Sequence, residues 1–184
     1  MDTGHNIGTP RDIRDLCGRQ RLIQLAQESE QQGWWQGYHL DYFATSIGME
    51  VEAVAIKYYQ SSIVPGLLQT PDYARVMYVV STPKIALVMI DQRIEVRLRR
   101  QQRHVQDPPV RLEVVLDEAV LHRLVGDQSI MRGQLDRLIE LSKQPDVTIQ
   151  VIPFTTGAHP AMESTFDILE SIAPCLVRCM LRGP

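Results

Sequence analysis

Cysteine is scarce in this chain of 184 residues, and its scarcity argues against a disulfide-stabilised protein and against a zinc-binding protein. The three cysteines, Cys17, Cys175 and Cys179, are an odd number and give no disulfide framework. Cys175 and Cys179 stand four residues apart without a second such pair, which argues against a zinc site. We therefore expect free thiols in a cytoplasmic protein that holds no metal and no cofactor.

Long apolar runs and an excess of basic charge are also lacking. No stretch approaches the ~18 consecutive apolar residues of a membrane span, and the polar N-terminus is no signal peptide. The formal net charge is −3, from 19 basic and 22 acidic residues, which argues against a surface built wholly for nucleic acid. We expect the chain to contact no membrane and to bind no nucleic acid directly.

Aromatic residues make up only 6% of the chain, and several of them fall together between Trp34 and Phe43. A stacking platform for single-stranded nucleic acid needs basic residues between its rings. Between Trp34 and Lys57 the only such residue is His39. This pattern favours a hydrophobic clamp that closes one side of the core.

Hydrophobic periodicity predicts a helical first half followed by strands and helices. The predicted helices cover residues 11–32, 49–59, 71–80 and 84–104, a short segment behind Asp117, and residues 127–144. The predicted strands cover residues 110–116, 146–154, 164–170 and 174–181. The first ten residues are expected to form a disordered arm.

Residues 11–184 are therefore expected to form a single α+β domain with some α/β character. A helical half, residues 11–106, packs on a small mixed β-sheet carried by residues 107–184. The connection from strand 110–116 to strand 146–152 is long and helical, so these two strands should be parallel with a right-handed crossover. The later strands follow short connections and should be antiparallel.

The stretch "VPGLLQTPDYAR", residues 64–75, predicts a turn that runs into a helix. Thr70 is the expected N-cap, with Pro71 at the first helical position. Leu67 and Leu68 should bridge the helical half to the sheet, with Tyr73 beside them. Gln69 either lines a ligand cavity at this seam or makes a hydrogen bond to the backbone at the helix start, and the sequence favours neither.

The helix predicted over 84–104 carries a row of basic side chains on one face, namely Arg93, Arg97, Arg100 and His104. Such a row is either a solvated surface or a clamp for an anion or an acidic partner. Its expected core stripe consists of Leu87, Ile94, Leu98 and Val105. Arg97 and Arg100 lie nearest this stripe, so we expect them to point inward, in a structural or ligand-binding role.

Chemistry-bearing residues also follow the two predicted parallel strands, where open α/β sheets place ligands. Asp117 and Glu118 follow the first strand, and Phe154, Thr155 and His159 follow the second. A carboxylate beside a histidine can carry out acid–base catalysis. Alternatively, Asp117 is an N-cap and Glu118 complements the helix dipole. The chain contains no G-x-G-x-x-G, P-loop or G-x-S-x-G motif.

Six stretches, in one order and spacing, resemble a known family. They are "GWW", "VPGLLQTPDYAR", "RLRRQQR", "LEVVLDEAVLHRLVG", "MRGQLDRLIEL" and "VTIQVIPFTTGAHP". Over about residues 11–170 the chain resembles the C-terminal effector domain, of unknown function, of XRE-type helix-turn-helix regulators from actinobacteria. The resemblance implies a regulatory domain from loci of development or secondary metabolism. Here the helix-turn-helix half is missing and the end departs from the family pattern, so a free-standing, shortened copy is expected.

Two functions follow as expectations. The first is a module without DNA affinity that binds a small molecule or a small partner protein between its halves. Its expected ligand-binding residues are Gln69, Tyr73, Arg97, Arg100, Phe154, Thr155 and His159. The alternative is a biosynthetic enzyme of cyclisation or rearrangement type that reuses the pocket, with Asp117, Glu118 and His159 as acid or base. Uncovered apolar surface at residues 175–181, or on helix 11–32, predicts a homodimer.

Overall fold

The structure, a computed structural model, describes residue 38 and residues 43–82, 86–102, 108–171 and 177–182. The disordered arm, the helix at 11–32, Trp34 and Trp35 of the aromatic clamp, and His104 lie outside the described residues. The helices are α1 (Phe43–Val51), α2 (Pro71–Ser81), α3 (Leu87–Gln101), α4 (Glu118–His122) and α5 (Gln128–Leu141). The strands are β1 (Ala53–Gln60), β2 (Arg111–Asp117), β3 (Val147–Ile152), β4 (Thr165–Ser171) and β5 (Val177–Arg182). Short 3-10 helices cover Gly66–Leu68, Phe154–Thr156 and Pro160–Glu163.

The five strands form one mixed sheet in the order β3-β2-β1-β4-β5. Strand β2 runs parallel to both β1 and β3, while β4 is antiparallel to β1 and β5 is antiparallel to β4. The predicted parallel pair, the helical connection through α4 and α5, and the antiparallel later strands are thus confirmed. The fold is α+β, as expected.

The helix predicted over residues 49–59 is wrong, because most of this segment is the central strand β1. Helix α1 ends at Val51, and Ala53–Gln60 then pairs with β2 on one side and β4 on the other. The sequence of β1, "AVAIKYYQ", is apolar at most positions and is buried at six of its eight positions. Periodicity cannot distinguish such a run from a buried helix. The sheet is therefore shared by both predicted halves.

The expected bridge between the halves is confirmed. Leu67, Leu68 and Tyr73 are buried in the same core cluster as Leu112 and Leu116 of β2. Thr70 caps α2 by accepting a hydrogen bond from the backbone N–H of Tyr73, and Pro71 stands at the first helical position. The 3-10 turn and α2 therefore pack on the sheet face that the alternate β2 residues Leu112, Val114 and Leu116 present.

The core stripe predicted for α3 is only partly right. Ile94 is buried, but Leu87 and Leu98 are exposed by 72% and 39%, and Val105 lies outside the described residues. The buried apolar residues of α3 are Ile90, Ile94 and Val96. Polar contacts by Arg97, Arg100 and Gln101 fill the rest of its inward side. A pattern of apolar residues alone cannot reveal a helix face that is held by arginine and glutamine.

Candidate functional site

Gln69 belongs to a polar network that fixes the turn at residues 64–70. Its side-chain Nε2 donates to the Val64 carbonyl at 2.6 Å, and its Oε1 accepts a hydrogen bond from Arg97 Nη1. Gln101 Nε2 donates to the Gln69 carbonyl at 2.7 Å, so the backbone is held as well. Gln69 is 3% exposed and has both ends of its amide occupied. This geometry supports the backbone-bonding interpretation over a cavity-lining one.

Gln134 of α5 holds the same turn from the opposite side. It donates to the Leu68 carbonyl at 2.9 Å and accepts from the Thr70 N–H at 2.8 Å, and it is fully buried. Sequence reasoning missed this residue. A glutamine among the inward apolar positions of α5, one residue before Leu135, is the signal that could have revealed it.

Tyr73 and Arg97 complete this network. The Tyr73 hydroxyl accepts a hydrogen bond from the Val64 N–H at 3.3 Å. Arg97 donates to the Tyr78 hydroxyl at 2.8 Å, and its guanidinium lies over the Tyr78 ring, 4.7 Å from the centroid. Arg97 points inward, as expected, and these contacts give it a structural role.

Arg100 also points inward, but toward α1. Its Nε and Nη2 donate to the two carboxylate oxygens of Glu50 at 2.7 and 2.6 Å. The two side chains are only 12% and 10% exposed, so this is a nearly buried, bidentate ion pair. Arg100 therefore joins α3 to α1, and its fork is already filled by a carboxylate from its own chain.

A second group of polar side chains lies where the parallel strands end. Asp117 is the last residue of β2, and its Oδ2 lies 3.8 Å from His159 Nε2. Asp117 Oδ1 accepts from the Ala119 N–H at 2.8 Å, so the predicted N-cap of α4 is confirmed. The structure thus brings together Asp117 and His159, 42 positions apart in sequence, at the edge where topology places them.

Glu118 anchors the loop that follows β3. One carboxylate oxygen accepts from the Phe154 N–H at 2.6 Å, and the other lies 3.2 Å from His122 Nε2. The Phe154 hydrogen bond, followed by that of His122, lowers the pKa of Glu118. Phe154, 59% exposed, stacks on the His122 ring at 5.8 Å. Thr155 lies exposed in the 3-10 helix Phe154–Thr156.

Tyr59, near the end of β1, is the residue of this edge that sequence reasoning missed. Its ring meets His159 edge-on at a centroid distance of 6.0 Å and lies 5.5 Å from the Phe166 ring. Tyr59 is 3% exposed, yet its hydroxyl has no hydrogen-bond partner among the described residues. Burial, with a smaller contribution from the Asp117 charge, raises the pKa of this phenol. Its position was concealed because the sequence pattern assigned residue 59 to a helix.

We call Tyr59, Asp117, Glu118, Phe154 and His159 the edge site. Tyr59 pairs in register with Val115 and Phe166, so it alternates with Tyr58 and faces away from the helix-covered side of the sheet. No hydrogen bond or ion pair among the described residues joins the edge site to Gln69, Tyr73 or Arg97. The expected ligand-binding residues therefore form separate groups, and the edge site contains Phe154 and His159.

The family described as Domain of unknown function (DUF5753) matches residues 43–177 of this chain. The chain belongs to this family. The match covers most of the sequence and contains every residue of the edge site. No curated protein and no solved structure matches the chain.

Two further findings concern classes of site. Within the described ranges, no three histidine, cysteine, aspartate or glutamate residues are grouped as ligands for a metal ion. Of the helices that the structure describes, none has the length and apolar character that crossing a membrane requires.

Proposed function

We propose that this member of the DUF5753 family is a binding module that takes a small molecule at the edge site. The observation that carries the proposal is the Tyr59 hydroxyl, which is buried and has no partner in the described part of the chain. A buried hydroxyl without a hydrogen bond costs about 1–3 kcal/mol. A chain tolerates that cost most easily where a ligand completes the bond.

Topology gives independent support. Ligands of open α/β sheets bind beyond the carboxyl ends of parallel strands, and the edge site lies at the ends of β1, β2 and β3. It combines aromatic surface with a few convergent polar groups, which is the usual composition of a ligand site. The amides of Gln69 and Gln134 in the turn network, by contrast, are hydrogen-bonded at both ends within the chain.

The proposal can be tested by nuclear magnetic resonance with a library of small fragments. Ligands of the edge site should shift the signals of Tyr59, Asp117 and Phe154 and leave those around Gln69 unchanged. Tyr59→Phe should weaken these ligands at least tenfold. If no fragment of the library shifts the edge-site signals, or if all hits shift the turn at residues 64–70 instead, the proposal is wrong.

The broader role follows from the sequence resemblance and is likewise proposed. We infer a domain derived from an XRE-type regulator, connected with secondary metabolism or development, that has no DNA affinity of its own. A gel shift with promoter DNA from the same locus should show no complex at physiological salt. A small partner protein is the other occupant that the resemblance implies. If such a partner co-purifies with the unaltered chain but not with Tyr59→Phe, the ligand of the edge site is a protein and not a small molecule.

A specific contact also favours an enzyme as the second candidate. Asp117 and His159 lie 3.8 Å apart beside a buried phenol, and such groups can hold or move a proton. Incubation with late intermediates of the neighbouring biosynthetic pathway should then give a product by mass spectrometry. Loss of turnover in His159→Asn, with fragment binding retained, would establish catalysis. An unchanged set of intermediates would leave binding as the function.

The homodimer also stays a proposal. Strand β5 pairs with β4 within the same sheet, so part of the apolar tail is already covered by its own domain. On the other side of β5 no described strand is paired, and a second copy could add there across a two-fold axis.

A further inference from the structure

We infer that the ligand of the edge site carries a positive charge, as a protonated amine or a guanidinium, attached to a flat apolar group. The inference rests on the binding function proposed above and adds the chemical class of the ligand. Three features of the edge site support it: its charge, its aromatic surface and its one buried hydroxyl.

The charge of the edge is acidic. Two carboxylate–imidazole pairs lie at this edge, Asp117 with His159 and Glu118 with His122, while Lys57, on the same sheet face as Tyr59, is paired with Glu113 and Glu170. No lysine or arginine of the described ranges forms an ion pair with either carboxylate. Two carboxylates against two imidazoles leave the edge negative whenever either imidazole is neutral. An anionic ligand is repelled by this arrangement, and a cation is attracted.

Asp117 has an acceptor available for such a cation. Its Oδ1 accepts a hydrogen bond from the Ala119 N–H. Its Oδ2 lies 3.8 Å from His159 Nε2, which is beyond hydrogen-bond distance, and accepts a hydrogen bond from no described donor. The Glu118 oxygens both have partners, His122 and the Phe154 N–H. Asp117 is therefore the carboxylate that can take a new charged donor, and Glu118 adds its field.

The aromatic rings suit the rest of the ligand. Tyr59, Phe166 and His159 form one contiguous group of rings, and the exposed Phe154 stacks on His122, both of which contact Glu118, the residue after Asp117. Aromatic faces attract cations and pack on flat apolar groups. Because these rings can pack on a flat apolar group, we infer an aryl or planar amine as the ligand rather than a simple metal ion.

The Tyr59 hydroxyl is the observation that separates this edge from an ordinary acidic patch. It is buried, has no partner among the described residues, and lies close enough to Asp117 for that charge to affect its titration. A neutral phenol can accept a hydrogen bond from a ligand N–H while Asp117 neutralises the same ligand group. In the inferred complex one ligand donor would satisfy both groups.

Three probes that share a phenyl ring and differ in charge test the inference: benzylamine, benzyl alcohol and benzoate. Nuclear magnetic resonance titration at millimolar concentration should show that benzylamine shifts the edge-site signals, that the alcohol binds more weakly, and that benzoate does not bind. Asp117→Asn should lower benzylamine affinity at least tenfold and should remove most of the preference for benzylamine over benzyl alcohol. Asparagine also caps helices well, so this variant keeps α4 and loses only the charge.

The matched control is Asp127→Asn. Asp127 caps α5 in the same way, accepting from the Ile130 N–H at 2.9 Å, and belongs to none of the edge-site contacts. Benzylamine affinity should be the same in this variant as in the unaltered chain.

Two outcomes overturn the inference. Benzoate or the alcohol binding the edge site better than benzylamine means that the ligand is not a cation, while the proposed site stands. Equal benzylamine affinity in Asp117→Asn and Asp127→Asn means that Asp117 does not select the charge. Failure of the whole fragment library at the edge site is the separate result that removes the binding function itself.

Discussion

Replacement of Tyr59 by phenylalanine should stabilise this protein, which is the reverse of the usual effect of a change in a core. The hydroxyl is buried and has no hydrogen-bond partner among the described residues, so no group in that part of the chain compensates its desolvation. Removal of the oxygen leaves the ring and its contacts with His159 and Phe166 in place. We expect a gain of about 1 kcal/mol, at the lower end of the cost of an unsatisfied buried group.

Tyr73 provides the matched control, because it is equally buried but its hydroxyl is used. That hydroxyl accepts from the Val64 N–H at 3.3 Å. Tyr73→Phe leaves a buried N–H without its acceptor and should cost about 1 kcal/mol. The same substitution should therefore have opposite signs at the two positions.

Urea denaturation followed by circular dichroism measures both changes, provided that the slope of the transition stays constant. Thermal unfolding should show shifts of about 2–4 °C, upward for Tyr59→Phe and downward for Tyr73→Phe. Destabilisation of both variants by similar amounts would refute the reasoning, because it would show that the Tyr59 hydroxyl has a partner in the folded chain. The main support for the edge site would then be lost.

Three further predictions concern the turn, the loop anchor and assembly. Gln134→Met should cost about 2–4 kcal/mol, because it leaves the buried Leu68 carbonyl and the partly buried Thr70 N–H unpaired, while the exposed control Gln128→Met on the same helix should change stability by less than about 0.5 kcal/mol. The pKa of Glu118 is lowered in the folded state, so its stabilisation of the Phe154 loop is present above the unfolded pKa of about 4.3 and is lost as the pH falls through the lower folded pKa. The difference in urea midpoint between the unaltered chain and Glu118→Gln should therefore shrink over that acid range. A difference that stays constant with pH would contradict the assignment. Light scattering on the intact chain at micromolar concentration should give a dimeric mass, and a monomeric mass would end the homodimer proposal.

Local rules were sufficient where a short stretch specifies its own geometry. The N-caps of Thr70 and Asp117 and the strand at residues 111–117 all follow from neighbouring residues in the chain. The parallel pairing of β2 and β3 follows from the length of their helical connection, and that pairing leads from the sequence to Asp117 and His159. Part of the edge site could therefore be predicted.

The remaining features depend on contacts between distant segments. Residues 53–60 form a strand because β2 and β4 pair with them, although their apolar run fits a buried helix equally well. That assignment concealed Tyr59. Arg97 donates a hydrogen bond to Gln69, and Glu50 forms an ion pair with Arg100. The partners of each pair are far apart in sequence, so the structural roles of Arg97 and Arg100 cannot be predicted from the sequence around them.

The sequence by itself determined the α+β class, the caps and turns, and the edge of the sheet where polar side chains would meet. Each depends on residue type, spacing or connection length, which are properties of the chain as written. Only the tertiary structure decided that β1 is the central strand, that the Gln69 and Arg100 groups are satisfied within the protein, and that the Tyr59 hydroxyl is not satisfied by any described residue. Whether a buried polar atom has a partner depends on which distant segment packs against it, and that is settled only when the sheet and its helices assemble.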